Sequence, residues 1–124
     1  MWVFLNDSFL SIVEDRSKLD DRLLVRARFE GDIERAFPRA RVSRTPEADY
    51  PYRASLPRKV VARRLAEAVE KIDYPSFKDS IPDAVATGRR EAAYFRVWAD
   101  MQRAGDNATL NRGGLGSRAH LIDG

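Results

Sequence analysis

Few residues in this sequence have the chemistry of a catalyst. Its one histidine, His120, stands in a stretch of Gly, Asn, Ser and Arg, far from any acid or serine that a packed scaffold would hold still. A general base must be positioned before it works, so His120 reads as a solvent-exposed tail residue. There is no cysteine, which removes disulfides, thiolate metal sites and thiol catalysis together. One histidine without cysteine also leaves no zinc-ligand spacing. Gly113, Gly114 and Gly116 form a GGLG run with no strand before it and no helix after it, so no phosphate loop is expected. Asp7, Asp15, Asp20, Asp21, Asp79 and Asp83 share no spacing and read as exposed loop carboxylates. Metal-assisted hydrolysis by clustered acids is the one enzymatic reading they leave. The expectation is a non-enzymatic protein with no catalytic residue, no metal and no cofactor.

The chemistry that is abundant is cationic. The formal charge is +3, but between Arg22 and Arg64 twelve basic residues face five acids, a local excess of +7. Nearly all of these cations are arginines, whose planar fork suits carboxylate or phosphate better than lysine does. A compositional bias toward arginine would give the same excess. Arg26, Arg28 and Arg53 fall on the outward side of two alternating strands, and Arg41 and Arg44 on a third, weaker one. Balancing acids such as Glu30, Glu34 and Glu47 also allow these arginines to form cross-strand or helix-paired salt bridges. The aromatics of the clear strands (Phe29, Tyr50, Tyr52) alternate to the opposite side, which counts against base stacking on an arginine face. Tyr74 and Phe77 flank Pro75 in a broken segment that holds aromatics outward more readily than a packed helix does. Tyr, Trp and Arg are the residue types of interface hot spots.

The elements that position these residues follow from periodicity. Trp2–Leu5 and Ser8–Val13 flank Asn6-Asp7 and read as a hairpin. Trp2 and Phe4 fall on one face, Val3 and Leu5 on the other; with both faces apolar, this strand is expected to be covered on both sides or packed beneath a tail. Leu23, Val25, Ala27 and Phe29 alternate against Leu24, Arg26 and Arg28. Gly31-Asp32 opens a short helix, Ile33–Phe37, with Asp32 as the N-cap, and Pro38 ends it. Arg41–Thr45 is a weak strand. Tyr50–Leu56 is another, which Pro51 makes start late or lie at an edge. Pro57 takes the first position of a helix whose stripe is Val61, Leu65, Ala68, Val69 and Ile72. Asp73–Asp83, with its prolines, is neither strand nor long helix. Arg90–Ala104 is a second amphipathic helix with Tyr94 and Trp98 turned to the core, and Gly105–Gly124 is an unpatterned, flexible tail.

The order βββαββα, then a helix and a tail, predicts an α+β two-layer sandwich: an antiparallel sheet of about five strands with helices on one face. The 124 residues suit one domain over 1–104, followed by a tail over 105–124. With 44% hydrophobic and 33% charged residues the chain has a soluble composition, without an apolar run of membrane length. The start, MWVFLNDSFL, lacks the basic region and cleavage site of a secretory signal, so a cytoplasmic location is expected.

MWVF, LLVRAR, DYPSFKD and VWADM together resemble a family of small uncharacterised bacterial and bacteriophage proteins, from about Met1 to Met101. The resemblance assigns no activity and no site residues. It implies a cytoplasmic, mobile-element context, in which small proteins often act by binding a host protein; anti-CRISPR inhibitors are one such class. The expected function is therefore macromolecule binding, with a protein partner first and nucleic acid, on an arginine-rich sheet face, as the alternative. A homodimer is also open, and no membrane partner is expected. The expected contact surface is Arg26, Arg28, Arg41, Arg44, Arg53, Tyr74 and Phe77.

Overall fold

A computed structural model of the chain describes residues 1–18, 20–82 and 88–111. The chain divides into two compact units, Met1–Val85 and Ala86–Gly124. The first unit carries the sheet: β1 (Trp2–Leu5), β2 (Ser8–Glu14), β3 (Arg22–Ala27), α1 (Asp32–Ala36), β4 (Ser43–Arg44), β5 (Tyr52–Pro57) and α2 (Arg58–Glu70), then a 3₁₀ turn at Lys78–Ser80. The five strands are antiparallel throughout, in the spatial order β1-β2-β3-β5-β4. The α+β fold and the βββαββα order are those expected from periodicity.

The hairpin is set by its turn. Asn6 and Asp7 tolerate the backbone of a two-residue connection, and Leu5 pairs directly with Ser8 across it. The ladder continues to the first residue, where the Met1 ammonium donates to the Ile12 carbonyl and the Ile12 N–H donates to the Met1 carbonyl, each at 2.8 Å. On one face of the sheet Leu10, Ile12, Val25, Ala27, Ala54 and Leu56 alternate inward and are buried with Ile33, Ala36, Phe37 and Val61. α1 packs on β2, β3 and β5, and α2 on β3 and β5. Each large aliphatic side chain buried here contributes about 1.5–3 kcal/mol, which makes this layer the main source of stability.

α1 starts differently from its sequence pattern. Gly31, not Asp32, is the N-cap, at a φ of 92° in the left-handed region. A Cβ there would be strained by that backbone and would also approach Arg35 Nη1 to 2.9 Å. Asp32 is the first helical residue and is fully buried. Its carboxylate accepts the Phe9 N–H at 2.9 Å and pairs with Arg35, while its carbonyl accepts the Ser8 hydroxyl at 3.0 Å. Arg35 in turn donates to the Asp7 carbonyl at 2.9 Å. A carboxylate that sequence reading assigns to capping its own helix thus ties that helix to the hairpin.

Other boundaries move by a residue or more. Pro51 delays β5 to Tyr52, as expected, while Pro57 ends the strand and occupies the N-cap of α2 rather than its first turn. β4 is reduced to Ser43–Arg44, leaving Arg41 outside any strand. The α2 stripe is only partly covered: Val61 is buried and Leu65 packs on the core, but Val69 and Ile72 are exposed. A helix of thirteen residues spans about 20 Å, and α2 packs on β3 and β5. Trp2 is 66% exposed, so β1 is not covered on both faces.

The second unit is described through one helix, α3 (Arg89–Asn111), preceded by Gly88 at a φ of 75°. The helix passes through Gly105 to Asn111, so the tail expected from Gly105 does not begin there. A single glycine costs a helix about 1 kcal/mol relative to alanine, too little to end one without proline. Trp98, expected in the core, is half-exposed, as are Phe95 and Val97. Residues 112–124, including His120 and the GGLG run, lie outside the described residues, as does Asp83. Among the described residues no helix is long and apolar enough to cross a membrane.

Candidate functional site

Strand register brings the site together. On the sheet face turned away from α1 and α2, Trp2, Ser11, Arg26, Arg53 and Ser43 form one continuous cross-strand row. Phe4 pairs with Phe9 beside that row and stacks on it, with ring centroids 4.6 Å apart. Trp2 meets Phe9 edge-on at 6.0 Å. Val13 and Leu24 also pair on this face and are half-buried.

Arg26 stands directly opposite Arg53 in the β3–β5 ladder. Like charges directly opposite one another destabilise a sheet by up to about 1 kcal/mol. What holds them is neutral. Arg26 donates to Ser11 Oγ at 2.7 Å and lies over the Tyr50 ring at 4.7 Å, and Arg28 lies over the same ring at 4.7 Å. Arg53 Nε donates to the Tyr50 carbonyl at 3.2 Å. Arg26 Nε is buried with no acceptor among the described residues, a further cost of about 1–3 kcal/mol.

The salt-bridge network allowed by the sequence does not involve these residues. Among the described residues, ion pairs form at Arg16, Arg22, Arg35, Arg58 and Arg103, and none at Arg26, Arg28, Arg41, Arg44 or Arg53. Arg26, Arg28 and Arg53 are held instead by a tyrosine ring, a hydroxyl and a carbonyl.

Placement of the aromatics corrects the sequence reading. Tyr52 does lie on the helix-covered side, paired with Ala27, but Tyr50 precedes β5 and turns under Arg26 and Arg28. The hairpin aromatics Trp2, Phe4 and Phe9 share the arginine face. Their side was readable relative to each other, because the two-residue turn fixes the β1–β2 register. Their side relative to Arg26 was not, because the longer connection between β2 and β3 leaves that register open.

The remaining predicted residues separate. Arg41 lines a groove of about 440 Å³ with Arg53, Ser43, Ser55, Leu24 and Asp15, adjoining the arginine row. Arg44 lies over Tyr52 at 6.0 Å, on the other side of the sheet. Tyr74 and Phe77 form a ring pair 6.1 Å apart, with Tyr74 lining a small cavity beside Leu5, Asn6, Asp7, Arg64 and Lys71. None of the face arginines lines that cavity, so these two aromatics belong to a different surface.

At the far end of the face Asp15 is buried, accepting the Ser17 hydroxyl at 2.6 Å and the Ser17 N–H at 3.1 Å. Hydrogen bonds from the Ser17 and then the Ser55 hydroxyl hold its carboxyl below the ordinary value of 3.8. It is a fold element that closes the β2–β3 connection. No group of three or more His, Cys, Asp or Glu side chains is gathered to hold a metal among the described residues. Comparison with protein-family models, curated proteins and solved structures finds no match to this chain.

Proposed function

We propose that this protein works without catalysis, by binding a macromolecule that presents negative charge to the face bearing Trp2, Arg26, Arg28 and Arg53. The observation that carries the reading is the direct Arg26–Arg53 pair, which has no carboxylate partner among the described residues. A surface arginine is ordinarily free to find an acid or spread into solvent. Two opposed arginines, one with a buried orphan donor, cost the folded state stability that a Thr or Val pair would not. A polyanion docked across them would turn that repulsion into charge-assisted hydrogen bonds. Arg28 and Arg41 extend the same charge to either side.

Heparin-agarose supplies the test, with each variant checked by thermal melting. The double reversal Arg26→Glu with Arg53→Glu is expected to lose retention, while reversing two exposed cations elsewhere, Arg63→Glu with Arg96→Glu, lowers the net charge equally and keeps most of it. Equal losses from both pairs would make retention a matter of net charge, and the reading would fall.

A further inference from the structure

We infer that the polyanion is a single-stranded nucleic acid, whose phosphates meet Arg26, Arg28 and Arg53 while a base stacks on Trp2; this rests on the reading above. Charge alone would serve any acidic surface, so the inference depends on what lies beside it. Trp2 is 66% exposed at the head of the row that contains both arginines. Its ring is braced edge-on by Phe9, and Phe9 is braced by Phe4. An exposed indole held in place is a stacking platform, since every base presents a π-face.

Spacing agrees. Neighbouring strands lie about 4.8 Å apart, so Trp2 is about 10 Å from Arg26 along the row and about 14 Å from Arg53. One or two nucleotides cover that distance. The guanidinium groups of Arg26 and Arg28, both lying over Tyr50, add planar surfaces on which a base can also stack. A duplex keeps its bases stacked on one another and offers Trp2 only its backbone. An acidic protein would meet the arginines but has no general use for an exposed, braced indole at the head of their row.

Fluorescence anisotropy of the full chain separates these partners, using three labelled probes: a twenty-nucleotide oligothymidine, a twenty-base-pair duplex and poly-glutamate. The expected order has oligothymidine bound most tightly, with affinity falling steeply as salt rises. Trp2→Ala should weaken oligothymidine about tenfold and leave poly-glutamate unchanged. Trp2→Phe, which keeps a ring, should restore most of the loss and excludes a folding defect. Three results would overturn the inference: poly-glutamate bound as tightly as oligothymidine, which identifies an acidic protein surface; duplex bound as tightly; or Trp2→Ala without effect. Each of these leaves the arginine face itself standing, whereas failure of the heparin comparison removes the face.

Discussion

The two faces of this sheet are made by the same strands and obey opposite rules. On the face beneath α1 and α2, Leu10, Ile12, Val25, Ala27, Ala54 and Leu56 are aliphatic or alanine, and their burial is nearly complete. One residue along each strand, the other face sets Arg26 against Arg53 and leaves Trp2 in solvent. The first arrangement is what burial of apolar area selects. The second is worse for stability than many alternatives of similar size. Under the proposed function, the second face trades stability for a contact, and that contrast can be tested by substitution on each side.

The largest effect is expected beneath the helices. Leu10→Ala should cost about 2–5 kcal/mol in urea unfolding, by loss of burial and creation of a cavity, with no specific effect on anion binding in the folded fraction. Next is Asp32→Ala, which orphans the Phe9 N–H and removes the Arg35 partner; a loss of about 2 kcal/mol is expected, read as a lower melting temperature. If Asp32→Ala were neutral, the tie between α1 and the hairpin would be dispensable.

On the exposed face the sign reverses. Arg53→Glu places a carboxylate opposite Arg26 and should raise stability by about 0.5 kcal/mol while reducing retention on heparin. A stability gain with a binding loss is the signature of a residue kept for its contact. A loss of both would make Arg53 a structural residue. The smallest effect concerns Asp15. Its carboxyl is held below its unfolded value by the Ser17 and Ser55 hydroxyls, so its contribution is present above pH about 3.8 and is lost as pH falls through the lower, folded value. Asp15→Asn should therefore reduce stability near neutrality and flatten the acid limb of the stability curve, measured by urea titration from pH 6 down to about pH 2.5. An unchanged acid limb would mean that another carboxylate governs it.

The elements of this fold were legible because each has a local cause. The Asn6-Asp7 turn, the period-two alternation of β2, β3 and β5, the delay at Pro51 and the helical stripe from Val61 all act over a few residues. The errors also have physical reasons. Asp32 looks like an N-cap because capping is the commonest local use of Asp before a helix; its actual partners, Phe9 and Arg35, include one 23 residues away. Trp98 fits an amphipathic stripe, yet a stripe shows only which side of a helix is apolar, not whether anything covers it.

By itself, then, the sequence determined which residues share a face of their own strand, that the arginines outnumber the acids between Arg22 and Arg64, and that β1 and β2 pair in one register. Only the tertiary structure decided that Trp2, Arg26 and Arg53 stand in one row, and that Glu14, Asp20, Asp21 and Asp32 pair with arginines outside that row. The reason is that alternation has a period of two and no memory across a loop. A shift of one residue between β2 and β3 would have placed the aromatics and the arginines on opposite sides.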